Sequence, residues 1–366
     1  MRVVFRTDAS TCIGTGHVMR CLTLAEGLSF YGCTVQFICR PHKGNLINYI
    51  RNKGFEVLEL PVIDRLEGEA HISLKHILGY ETWLECPWEL DASQSASLFD
   101  EKVDWLVIDH YGMDQRWSSV LQDKTNYIMC IDDLANRKLL CDIILDQTTE
   151  QSSRAYAKLV PKHTNQLLGP QYALLRPEFA QWREFSLSRR THPSLQNILI
   201  TMGGVDNENI TSRVLLALES CTLKNNLEVN VVLGVNAPWE NQVRRLASLL
   251  EMPVNVLSGV SNIAELMSIS DLVIGAGGST TWERCSLGVP SILLVTADNQ
   301  MRVADKMDFE NAAYVIYDTE NLERNLKKFL NGEDLLEKLT RYSSRGSKIV
   351  GADGVNKVVH ELIAYE

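Results

Sequence analysis

The sequence predicts two open α/β domains, each a parallel sheet with helices packed on it. Short apolar runs alternate with stretches of helical spacing, first from Val3 to Asp146 and again from Ile198 to Val295, the signature of repeated strand–helix–strand units. The rhythm lapses between Gly169 and Pro193, where prolines mix with Arg183, Arg189 and Arg190, so the domains are placed at 1–180 and 181–366. At 366 residues the chain also exceeds the length at which one core usually stops growing.

Val3 to Phe5 is a short strand, and behind it Val18, Cys21, Leu22, Ala25 and Leu28 form one helical face that ends near Tyr31-Gly32. Thr34 to Cys39 is the next strand, followed by a helix through Leu46, Ile47 and Ile50 and a strand from Phe55 to Leu60. Residues 61 to 91 are less regular, with Tyr80, Trp83 and Trp88 among acids, and are expected to form a flap or loop. Asp104 to Asp109 is almost continuously apolar, as a strand buried on both faces should be, and it delivers Asp109-His110-Tyr111-Gly112 to its C-terminal end. Ligands bind at that edge of open α/β sheets. Tyr127 to Asp133 and Asp142 to Asp146 repeat the pattern, and for Asp132, Asp133 and Asp109 capping and turn formation account for the carboxylates at least as well as catalysis.

The second half restarts with a strand at Ile198 to Met202, a helix from about Asn209 to Ser220, a strand at Val229 to Leu233, a helix near Trp239 to Leu250 and a strand at Val254 to Leu257. Val355 to Ile363 is an amphipathic closing helix, expected to pack back on the first domain.

A net charge of −10 argues against a nucleic-acid or acidic-membrane surface, since such partners select a basic face. Nine scattered cysteines, with no Cys-x-x-Cys pair, read as thiols of a reducing compartment, and no apolar run approaches the roughly 20 residues of a membrane span. A cytoplasmic location is expected. No Asp-x-Asp is present, so a metal clamp on a diphosphate is not indicated, and no cofactor is expected.

Two stretches carry the chemistry. In Arg6-Thr7-Asp8-Ala9-Ser10-Thr11-Cys12-Ile13-Gly14-Thr15-Gly16-His17, a strand runs through two glycines into a helix, so Gly14 and Gly16 allow a sharp turn and close approach to a ligand. The positive helix end disfavours imidazolium, which leaves His17 a neutral ring able to take a proton, with His110 the competing base. In Ile274 to Cys285 a strand again meets glycines, and Gly277, Gly278, Ser279 and Thr280 set N–H groups and hydroxyls around a phosphate, while Glu283 can accept hydrogen bonds from a ribose diol. Gly203-Gly204 is a third glycine turn that could approach the same phosphates. Asn299 and Gln300 place amides suited to sugar hydroxyls after the strand Ser291 to Val295, with capping by Asp298 or Asn299 as the competing account.

Together, Arg6-x-Asp8-Ala9-Ser10, Ile13 to Cys21, Ile108 to Gly112, Tyr172 to Arg176 and Gly275 to Cys285 resemble the UDP-sugar hydrolases of pseudaminic acid biosynthesis over almost the whole chain. That resemblance implies a GT-B-like fold, two Rossmann-like domains facing across a cleft, related to MurG-type glycosyltransferases. It implies metal-independent, inverting hydrolysis of UDP-2,4-diacetamido-2,4,6-trideoxy-β-L-altropyranose to the free hexose and UDP, with His17 as general base and Tyr111 and Asn299 as further catalytic groups. Asp8, Gly14, Gly16 and Gln300 are then expected at the substrate, and Gly203, Gly204, Gly277, Gly278, Ser279, Thr280 and Glu283 at UDP. Thr7, Met202 and Thr148 depart from the family pattern without removing a reacting group. The partners implied are a UDP-sugar and water, with no nucleic acid and no membrane, and a monomer is expected. A glycosyltransferase of the same fold, a sugar-nucleotide 2-epimerase and a non-catalytic sugar-nucleotide sensor are the rival readings.

Overall fold

The first sheet grows outward from β1 (Arg2–Thr7) in the computed structural model, which describes residues 1–63, 79–148, 154–222, 227–235 and 237–365. Its other strands are β2 (Thr34–Cys39), β3 (Glu56–Glu59), β4 (Val103–Asp109), β5 (Thr125–Ile131), β6 (Ile143–Asp146) and β7 (Asn165–Leu168). All are parallel, in the order β3-β2-β1-β4-β5-β6-β7. Successive residues point to opposite faces, and both faces are covered. Val3 and Phe5 pack with Leu24 and Leu28 of the helix Gly16–Phe30 and with Val358, Val359 and Leu362 of the closing helix Gly354–Ile363. Val4 packs on the other side with Ile38, Leu106 and Trp117. Burial on two faces is why these strands read as apolar runs rather than as alternation.

The second sheet has β8 (Asn197–Thr201), β9 (Glu228–Leu233), β10 (Val254–Ser258), β11 (Leu272–Ala276), β12 (Ser291–Leu294) and β13 (Tyr314–Ile316), again parallel, in the order β10-β9-β8-β11-β12-β13. Each sheet reverses its winding between two neighbouring strands, β1 and β4 in the first and β8 and β11 in the second. The crevice outside the carboxyl ends of such a pair is where these folds bind ligands. Register fixes what meets there: Thr7 lies opposite Asp109, and Thr201 opposite Gly275.

The chain divides into Met1–Leu174 with Gly354–Glu366, and Leu175–Asp353. The break therefore falls ahead of the position 180 expected from the lapse in apolar rhythm, because that lapse contains a helix, Pro177–Arg189, tied to the second unit. Ser186 Oγ donates to the Leu287 carbonyl at 2.7 Å, Arg183 donates to that of Ser286, and Arg190 donates to those of Met267 and Ser270 at 3.2 and 2.8 Å. The short strands β7 and β13 were also not evident; β7 opens on Asn165-Gln166 and closes an edge. Of the expected flap at 61 to 91, residues 64–78 lie outside the described residues, while Gly79–Leu84 is a 3₁₀ turn and Trp88–Ser97 a helix. None of the described helices is long and apolar enough to cross a membrane.

The closing helix docks on the first unit through Gly354, where a Cβ would stand 2.8 Å from the Ala173 backbone nitrogen and nearer still to its carbonyl oxygen. Gly354→Ala should therefore push the helix off its seat and lower stability by about 1 to 3 kcal/mol. Urea unfolding followed by circular dichroism checks this, and an unchanged midpoint would mean the close approach carries no stability.

Candidate active site

The loop after β1 closes on itself before it enters the helix. Gly14 adopts φ +81°, which suits glycine, and its N–H donates to the Ser10 carbonyl at 2.9 Å. Ser10 Oγ accepts from the N–H groups of Cys12 and Ile13 at 3.1 and 2.9 Å. This leaves Gly16 exposed as the first helical residue and His17 as the second.

His17 does not rest on the helix end alone, as its position had implied: its Nδ1 lies 2.6 Å from Asp109 Oδ1, at the end of β4. Arg20, one turn along the same helical face, donates to both oxygens of Asp109, from Nε to Oδ2 at 2.6 Å and from Nη2 to Oδ1 at 2.6 Å. Its Nη1 reaches Asp133 Oδ2 at 3.1 Å, and Asp133 accepts the Tyr111 hydroxyl. Burial alone would push the Asp109 carboxyl up, but Arg20 and His17 outweigh it and hold the group well below the usual carboxylate range. An ionised Asp109 can accept from Nδ1–H, and in that tautomer the ring's lone pair lies on Nε2. The Tyr111 ring meets the imidazole edge-on at 4.5 Å and Trp83 at 5.8 Å, so the ring is only 7% exposed. Trp83 stacks on Tyr111 at 5.3 Å.

Two expectations for this unit change. Asp8 is 0% exposed: its Oδ1 accepts the Arg40 N–H at 2.7 Å and its Oδ2 lies 2.7 Å from Arg6 Nη1. Arg6 runs on to Asp91 at 2.8 Å, which Arg40 and Trp117 also hold. Asp8 is thus part of a buried ionic network beneath the turn, and its complete burial closes it to a sugar. His110 is 1% exposed and its Nδ1 accepts from the Gly112 N–H at 3.1 Å; burial pulls its pKa down to about 3. It is held neutral after all, without a helix end, but its burial removes it as the rival base.

In the second unit the register of β8 and β11 sets two glycine turns side by side. Gly203 takes φ +86° and runs into Gly204 after β8, while Gly277-Gly278-Ser279-Thr280 leaves β11. The Gly277 N–H donates to the Leu294 carbonyl at 3.0 Å, but among the described residues those of Gly278, Ser279 and Thr280 meet no internal acceptor, and all three residues are at least partly exposed. Gln300 packs on Gly277, and its Oε1 accepts the Thr296 N–H at 2.9 Å, so the amide oxygen shapes the loop. Asn299 is partly exposed, in a 3₁₀ turn of the second unit, whereas His17 and Tyr111 belong to the first. Glu283 is partly buried, with Oε1 3.4 Å from Arg176 Nη2; burial raises its pKa and Arg176 opposes the rise.

Asp109 and Arg20 are the residues of the candidate site that sequence reasoning did not bring to His17. The available signal was the three-residue spacing of His17 and Arg20, together with a carboxylate at the end of a strand buried on both faces.

Asp109→Ala removes one of the two carboxylates that meet the buried Arg20 and leaves Asp133, so it should cost about 1 to 3 kcal/mol, less than a fully stranded charge would. Because Asp8 and Asp109 both titrate below their unfolded value of roughly 3.9, their charge stabilises the fold above that pH and the contribution is lost as pH falls. Urea midpoints measured from pH 6 down to 3 should decline in the wild type and decline less steeply in Asp109→Asn. Equal slopes would show that the Asp109 charge does not support the fold.

Residues 197–352 match the model of the glycosyltransferase family 28 C-terminal domain. The chain is 26% identical over 310 residues to an uncharacterized protein of Methanocaldococcus jannaschii, covering 83% of this chain and 58% of that longer protein. It is 25% identical over 279 residues to the UDP-2,4-diacetamido-2,4,6-trideoxy-β-L-altropyranose hydrolase of Campylobacter jejuni, covering 76% of this chain and 86% of the relative. Among solved structures, Acinetobacter baumannii MurG superposes with a TM-score of 0.68 at 16% identity over 99% of both chains. The chain has a GT-B-like fold of two parallel-sheet α/β units, and its second half is similar to the C-terminal domain of the family 28 glycosyltransferases.

Proposed function

We propose that the chain is a nucleotide-sugar enzyme that hydrolyses the glycosidic C–O bond of a UDP-sugar of the UDP-2,4-diacetamido-2,4,6-trideoxy-β-L-altropyranose type. The observation that carries this reading is the His17–Asp109 pair with Asp109 locked by Arg20, an oriented base on a helix that opens beside Gly14 and Gly16. In the proposed step His17 Nε2 takes a proton from water as the water oxygen attacks the anomeric carbon. The bond from that carbon to the diphosphate oxygen breaks, its electron pair leaves with UDP, and the sugar emerges with inverted configuration. Tyr111 fixes the ring of His17 and lines the sugar side, while Asn299 and Gln300 are assigned to sugar hydroxyl and acetamido groups.

UDP is assigned to the second unit. The free N–H groups of Gly278, Ser279 and Thr280, with Gly203, Gly204 and Gly277 in the adjoining turns, would take the charge that grows on the departing diphosphate. Glu283 is assigned to the ribose. The hydrolase of Campylobacter jejuni supports the reaction and the substrate class, and the family 28 match supports a nucleotide sugar. The same reading takes the protein as a cytoplasmic monomer.

The similarity to MurG and to UDP-N-acetylglucosamine transferases favours a second reading, transfer to an acceptor hydroxyl. The two part on whether UDP is released when water is the sole acceptor.

His17→Leu should keep UDP affinity by calorimetry and lower kcat by roughly 10² to 10⁴, about 3 to 5 kcal/mol of barrier. Near-wild-type turnover in that variant would eliminate the base assignment.

A further inference from the structure

Arg284 lies in the helix Thr280–Ser286 and is 0% exposed. Its Nη2 donates to the Ala276 carbonyl and to Thr281 Oγ1, both at 2.8 Å. Its Nε and Nη1 are buried and meet no acceptor, and among the described residues no carboxylate forms an ion pair with it. The adjacent Glu283 has turned to Arg176 instead. Buried guanidinium groups are ordinarily matched by carboxylates, since an uncompensated buried charge costs several kcal/mol.

The local backbone is built around this cation. A Cβ at Gly275 would stand 2.6 Å from the Thr201 carbonyl and closer still to Arg284 Nη1, so only glycine leaves the guanidinium its place under the strand end. The Ala276–Gly277 peptide is pinned from both sides, its carbonyl by Arg284 and its N–H by Leu294. That peptide opens the turn whose next three N–H groups are without internal acceptors. Burial pulls the Arg284 pKa down to about 10, which still leaves the group charged at neutral pH. Among the described residues this charge has no ion-paired carboxylate, Glu283 acting on it only through space, and it lies beside the exposed set of N–H donors.

We propose that Arg284 is the buried counter-charge of a diphosphate bound over Gly277 to Thr280, acting through the backbone without touching the ligand. It is a positioning residue: it presets the turn and supplies a fixed positive potential in a low-dielectric setting, where the attraction is weakly screened. The identification of the anion as the diphosphate of a nucleotide rests on the proposed function, whereas the preference for an anion rests on the buried guanidinium with its unpartnered Nε and Nη1.

Calorimetry on the full chain with UDP, uridine and inorganic pyrophosphate separates these layers, using wild type, Arg284→Met and Arg284→Lys with circular dichroism and urea midpoints as folding controls. Arg284→Met should lose roughly 10-fold or more in affinity for UDP and for pyrophosphate while uridine affinity stays within twofold, and Arg284→Lys should recover part of the loss. Should Arg284→Met not fold, the Arg284→Lys variant carries the test through a UDP loss that uridine does not share. Equal losses for UDP and uridine, or unchanged UDP affinity in a folded variant, would overturn the proposal and leave Arg284 a structural residue. Wild type that binds pyrophosphate but neither UDP nor uridine would keep the anion site and sink the nucleotide reading. Wild type that binds none of the three would overturn both.

Discussion

The carboxylate of Asp109, fully buried at the end of β4, is the constraint on which the proposed chemistry of the first unit depends. A buried carboxylate is costly unless charge and hydrogen bonds meet it from every side. Arg20 supplies two short bonds, Cys21 Sγ approaches at 3.4 Å, and His17 takes the remaining direction. The dependence runs outward from there. Arg20 keeps Asp109 ionised, and in the proposed mechanism Asp109 holds the proton on Nδ1 and leaves Nε2 to act as the base. The arrangement exists because β1 and β4 are neighbours at the point where the sheet reverses its winding, so the helix that follows β1 passes the end of β4.

The two units handle buried charge in opposite ways. Beneath the first turn, Arg6, Asp8, Arg40 and Asp91 neutralise one another at distances near 2.7 to 2.8 Å, which makes a rigid ionic floor with no charge left over. Beneath the second turn, Arg284 has hydrogen bonds for one nitrogen and, among the described residues, no ion-paired carboxylate. A neutralised floor suits the positioning of a proton acceptor. An unneutralised cation suits the binding of an anion, because its cost in the empty protein is offset when the ligand arrives.

Much of this was legible in the sequence, for definite physical reasons. β1, β2 and β4 were visible because strands buried on both faces must be apolar throughout, and the turns at Gly14 and Gly203 were visible because few residues tolerate φ near +80°. The partners of those turns were not. Asp8 and Asp109 stand at the ends of neighbouring strands and look alike in sequence, yet Asp8 is absorbed by Arg6 and Arg40 while Asp109 faces His17. That difference is set by helix and strand packing across 92 positions, beyond the reach of local pattern. The helix Pro177–Arg189 was missed for a related reason: its arginines serve backbone carbonyls of the second unit, so it lacks the apolar stripe by which helices are recognised.

The central claim is that an oriented His17 directs water at the anomeric carbon. Turnover of UDP-2,4-diacetamido-2,4,6-trideoxy-β-L-altropyranose in ¹⁸O-enriched water, with products read by mass spectrometry and ³¹P NMR, tests it most directly. The account predicts label on the anomeric oxygen of the free sugar and none in UDP. Label in the β-phosphate of UDP would mean P–O cleavage and would contradict it.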